Sequence, residues 1–218
     1  MTPSTTIMLA LSAGMFAVAP WIINAAPYES TMGLVQEVFY FHFPAAVMFL
    51  VRGMVWGVNS ARFLFTKRAS ADGWAVAAAE LGFVFGALTL ITGPLWARKA
   101  WGVWWVWDPR LTMSLVSWLL FGAYMIVRRF GGPGSDKLAA GLALFGMANV
   151  PFIYISVNVW RTLHPQTSVV PTLPTDMGVP LWFCFVAFTL LFIALLSLRA
   201  RIEHQRARVE ALILAEES

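Results

Sequence analysis

Long apolar stretches alternate along the chain with short polar connections rich in Gly, Pro and charged residues. Six of the stretches reach the roughly 20 apolar residues that a helix needs to cross the hydrocarbon core of a bilayer. They run over about 7–26, 39–58, 74–96, 111–127, 138–160 and 179–198. This pattern predicts an all-α, polytopic membrane protein with six transmembrane helices, a single integral-membrane domain over 1–218. Residues 199–218 read as a basic, helix-prone tail lying on the inner membrane surface. The first stretch has an alternative as a secretory signal peptide ending near Asn24-Ala25-Ala26, but no Lys or Arg precedes it, as such a leader requires, and it is expected to remain a helix.

Composition agrees with this class. The 218 residues are 59% hydrophobic and 12% charged, with a mean hydropathy of +0.71, outside the range of soluble domains. A net charge of +4 would point to nucleic acid in a soluble chain, but these basic residues sit in short loops and act as topology signals, so no nucleic-acid partner is expected. Ten of them (Arg62, Lys67, Arg68, Arg128, Arg129, Lys137, Arg199, Arg201, Arg206, Arg208) fall on one side and four (Arg98, Lys99, Arg110, Arg161) on the other. That bias places both termini in the cytoplasm. The segments 27–38, 97–110 and 161–178 then lie on the outer face, the periplasm if this is the inner membrane of a bacterium. The lone Cys184 excludes a disulfide framework, a Cys-x-x-Cys redox pair and a Cys-x-x-Cys-His haem attachment within the chain.

The densest chemistry is the run Trp101-Gly102-Val103-Trp104-Trp105-Val106-Trp107-Asp108-Pro109-Arg110. Indoles have large apolar faces and one N–H donor, so a cluster of them suits either a membrane–water interface or a planar aromatic ligand. If the run is helical, Trp101, Trp104, Trp105 and Asp108 share a face. Asp108 before Pro109 also reads as a helix N-cap with proline at the first helical position.

Two of the three histidines belong to the same face. His42 enters the second segment at its outer end, beside Pro44 in what is read as the first helical turn, and His164 follows the fifth segment. Neutral imidazoles are strong iron ligands, and two approaching a porphyrin from opposite sides would make a six-coordinate site; the alternative for each is a polar tip at headgroup level. The basic residues Arg98, Lys99, Arg110 and Arg161 could pair with haem propionates or with lipid phosphates. His204 reads as a solvated residue of the tail. Arg52 and Glu80 fall at similar depth in adjacent antiparallel segments and are expected to pair within the membrane.

The strings Tyr40-Phe41-His42-Phe43-Pro44-Ala45-Ala46, Trp101 through Asp108, and Asn149-Val150-Pro151 through Thr162-Leu163-His164 resemble, in order, the CcmC-type haem-handling family of cytochrome c maturation, over about 28–198. The tryptophan-rich signature is highly specific. The resemblance implies six helices and non-covalent haem b, held at the outer face by the tryptophan loop with His42 and His164 as axial ligands. It implies transfer of that haem to a periplasmic haem chaperone, and association with ATP-binding-cassette transporter subunits and a small single-span subunit. Larger members that join haem to apocytochrome c have more helices than this chain. The reading is therefore a haem carrier and not an enzyme, since no nucleophile, thiol pair or acid–base dyad accompanies the platform. Two rivals remain. A membrane b-type redox protein would carry histidine pairs deep in its helices, and a permease would need a continuous polar path, whereas only isolated positions such as Arg52, Glu80 and Asn149 occur.

Overall fold

The computed structural model describes residues 1–216. Six helices follow one another: α1 (Pro3–Asn24), α2 (Glu37–Thr66), α3 (Ala69–Trp101), α4 (Pro109–Phe130), α5 (Ser135–Val159) and α6 (Thr175–Glu216). All six are long and apolar enough to cross a bilayer. Each exceeds its apolar stretch or shifts against it, because hydropathy marks only the part of a helix that oil can accept. Polar residues extend the rest.

Local chemistry sets several ends. Thr2 caps α1 through its hydroxyl, with Pro3 at the first helical position. Asp108 caps α4, accepting from the Leu111 N–H at 2.8 Å, with Pro109 following as expected. Lys67 adopts a left-handed conformation (φ 53°) that reverses the chain between α2 and α3, and Gly102 does the same at the end of α3 (φ 75°). Pro44 is not in the first turn. A 3-10 turn at Gly33–Gln36 leads into a helix that starts at Glu37, so Pro44 lies inside α2 and removes its hydrogen bond to the Tyr40 carbonyl.

The bundle is organised around α2, which packs on α3, α5 and α6, while α4 bridges α3 and α5 and α1 rests on α6. Small residues allow the close approaches that membrane helices depend on. The Trp56 ring is fully buried against Phe121 and Tyr124 and reaches over Gly146, where a Cβ would lie 2.4 Å from it. Ser12 donates to the Ala187 carbonyl (2.9 Å) and docks α1 on α6. Asn149 donates to the Met113 carbonyl and the Ser117 hydroxyl, tying α5 to α4.

Arg52 and Glu80 do not pair. Arg52 is completely buried, donates to the Leu81 carbonyl, and lies over the Phe85 ring (3.7 Å) with Phe192 on another side. Glu80 instead meets Arg199 of α6, which also reaches Glu203. Depth fixes the height of a side chain, not its azimuth, and successive helical residues differ by about 100°. Leu81 faces α2 and Glu80 turns toward α6.

The tail is helical over its described residues, as expected. Its described part continues α6 without a break to Glu216, and Glu217 and Ser218 lie outside the described residues. His204 is not free in solvent: its Nε2 is 3.0 Å from the Ser70 carbonyl, and its ring covers Gly73 at the start of α3.

Candidate functional site

The connections 25–36, 102–108 and 160–174 gather at one end of the bundle, opposite the Lys67–Arg68 and 131–134 turns. The tryptophan run is not helical beyond Trp101. Gly102 turns left-handed, Arg98 donates to its carbonyl, and the chain runs irregularly to Asp108. The four indoles therefore do not share a helical face. Trp104 and Trp107 are 57% and 76% exposed, with rings available to a flat partner, whereas Trp101 and Trp105 are half-buried. Trp101 stands edge-on to Trp96 (5.8 Å between centroids), and Trp105 edge-on to Trp107 (5.8 Å).

His42, near the start of α2, leans on α3, where its Nδ1 is 2.8 Å from the Thr92 hydroxyl and its ring lies over Gly93. His164 sits on the loop after α5. Its Nδ1 donates to the Pro165 carbonyl at 2.9 Å, and because a carbonyl can only accept, this fixes the proton on Nδ1 and leaves a lone pair on Nε2. The His164 ring stands 6.4 Å from Trp101. Neither histidine Nε2 has a hydrogen-bond partner among the described residues.

Asp108 does more than cap α4. Its second oxygen accepts from the Thr162 hydroxyl, which in turn accepts the His164 backbone N–H at 3.1 Å. One carboxylate thus joins the tryptophan segment to the arm that carries His164. Burial, then the Arg110 guanidinium and more weakly His42, push the His164 pKa down from 6.5 to about 3, against the opposing Pro165 bond. The imidazole is neutral at ordinary pH, the form that binds metals.

Of the four basic residues at this end, Arg98 serves the Gly102 carbonyl, and Lys99 and Arg161 are exposed. Arg110 is half-buried, and its guanidinium makes no hydrogen bond or ion pair among the described residues. The buried Nε1 groups of Trp96 and Trp105 also lack acceptors there. Such unsatisfied donors are costly unless something else occupies them. Two bare imidazole nitrogens, an unpaired guanidinium and spare indole donors fit a flat ligand that carries a metal and anionic groups. No cluster of three His, Cys, Asp or Glu occurs among the described residues to hold an ion by protein ligands alone.

Sequence reasoning missed Trp96, Thr92 and Thr162. Thr162 lay inside a string already singled out, while Thr92 is visible only through the hairpin register, since it and His42 are nearly equidistant from the Lys67–Arg68 turn.

Residues 2–215 match the family described as Heme exporter protein C. The chain is 36% identical to the Heme exporter protein C of Bradyrhizobium diazoefficiens, over 99% of this chain and 81% of that one. It is 33% identical to the Heme exporter protein C of Escherichia coli K12, over 89% and 82% of the two chains. A ccmC-like mitochondrial cytochrome c biosynthesis protein of Marchantia polymorpha is 34% identical, over 76% of this chain and 72% of its own. With six apolar helices and matches spanning nearly its whole length, the chain belongs to the Heme exporter protein C family.

Proposed function

We propose that this protein holds haem b at the periplasmic face of the bacterial inner membrane and hands it to a periplasmic haem chaperone during cytochrome c maturation. The observation that carries this reading is the convergence of His42 and His164, from separate segments and near enough to influence each other's charge, with His164 beside Trp101 and neither Nε2 engaged among the described residues. Haem supplies an iron that two axial imidazoles satisfy and two propionates that need cationic partners. Arg110 is the better placed of the basic residues for a propionate because it is half-buried and its guanidinium makes no hydrogen bond or ion pair among the described residues; Arg161 is exposed and suits a lipid phosphate equally. Trp101, Trp104, Trp105 and Trp107 provide apolar area and ring faces, Gly102 gives their loop its turn, and Asp108 holds it.

The work is carriage, not catalysis. The site offers presentation of a ligand whose edge stays accessible, with Trp104 and Trp107 exposed toward a receiving protein. Family membership supports association with ATP-binding-cassette transporter subunits and a small single-span subunit. The distribution of basic residues supports cytoplasmic termini and an external tryptophan loop. Absorption spectra of the purified protein test the ligand assignment: the wild type is expected to give a low-spin, six-coordinate haem. His42→Ala or His164→Ala should weaken binding or leave a five-coordinate iron, and His204→Ala should leave the spectrum unchanged. Unaltered spectra in both ligand variants reject the reading.

A further inference from the structure

A threonine hydroxyl has one proton to give, and that of Thr92 is given to the Leu88 carbonyl, 2.6 Å away, in the back-bond that helical threonines make. The same oxygen lies 2.8 Å from His42 Nδ1. With its proton committed it can only accept, so Nδ1 carries the hydrogen of the neutral ring and the lone pair resides on Nε2. We propose that Thr92 is a positioning residue that holds His42 in the Nδ1–H tautomer and points its bare Nε2 at the haem iron, an inference that rests on the reading of His42 as an iron ligand. Neutral histidine in water favours the opposite tautomer, with the proton on the nitrogen that would have to bind metal.

The surroundings fit this role. The α2–α3 hairpin brings Thr92 level with His42, and Gly93 beside it leaves the ring room against α3, since a Cβ there would stand 3.3 Å from His42 Cε1. His164 reaches the same tautomer by another device, the Pro165 backbone carbonyl. Both rings are therefore prepared in the same sense, but only the His42 device can be removed by changing a side chain. An acceptor on Nδ1–H also raises the basicity of a ligating imidazole, and losing such an outer partner usually lowers metal affinity about 10- to 100-fold.

Nitrogen NMR of the full chain in nanodiscs, free of haem and labelled with ¹⁵N at histidine, tests the tautomer directly. Signals are assigned by loss in His42→Ala, His164→Ala and His204→Ala proteins. Wild type and Thr92→Ser should show His42 protonated on Nδ1, and Thr92→Val should shift population toward Nε2–H. After haem loading, Thr92→Val should bind about 10- to 100-fold more weakly with a raised midpoint potential, both restored by Thr92→Ser. A purely structural role would lower folded yield without moving tautomer or potential. Protonation of His42 on Nε2 in the wild type, a measurement that does not depend on Thr92→Val folding, overturns the proposal. So does a Thr92→Val protein with wild-type tautomer and potential. A His42→Ala protein that binds haem with an unchanged spectrum defeats the ligand reading instead, whatever the tautomer proves to be.

Discussion

His164 is a residue whose neutrality the fold enforces, chiefly by burial and then by Arg110. Its folded pKa of about 3 lies below the ordinary 6.5, so the unfolded chain binds the extra proton first as pH falls. The stability linked to this residue is complete above about 6.5 and is lost as the pH drops toward 3. Thermal melts from pH 7 to 4 should show the wild type losing stability more steeply than His164→Gln; parallel curves contradict this. Arg110→Gln should raise the His164 pKa without restoring 6.5, because burial, the larger cause, remains; ¹⁵N titration measures it. At this scale the sequence is legible where chemistry is local. Asp108 and Pro109 announce a helix start through adjacent residues alone. Thr92 carries no such signal, since a threonine in an apolar stretch looks like any other until the neighbouring helix sets a histidine against it.

Six helices can be read from hydropathy because each must supply a bilayer's depth of apolar residues. Their ends cannot, because Glu37 or Arg199 continues a helix as readily as leucine once the helix leaves oil. Partners across helices are the least legible, as Arg52 illustrates: height alone pointed to Glu80, and rotation gave it a carbonyl and two phenyl faces. A double-mutant cycle separates the two pairings. Glu80→Ala and Arg199→Ala should couple by about 1 kcal/mol, the upper range for partly exposed ion pairs, whereas Glu80→Ala and Arg52→Ala should add. Close packing has a similar test. Gly146→Val puts new atoms into the Trp56 ring and should cost about 1–3 kcal/mol as overpacking, read as a lowered Tm.

For the whole molecule, the proposed orientation leads to a labelling experiment in which the native thiol gives little background, because Cys184 is buried. Cysteines at Ala100 and Gly178 should react with an impermeant reagent in intact cells and one at Ser70 should not; the reverse pattern inverts the molecule. The two histidines are anchored to that molecule in unequal ways. His42 is slung between two helices, while His164 hangs from a loop whose tether, through Thr162, ends on Asp108. In the carrier reading, a receiving protein that gripped Trp104 and Trp107 would pull on the far end of that tether and free His164 before His42, so that the recipient would not have to displace both imidazoles at once. Thr162→Val cuts the tether in advance and should speed haem loss to apomyoglobin, where an unchanged rate would show that the two ligands let go together.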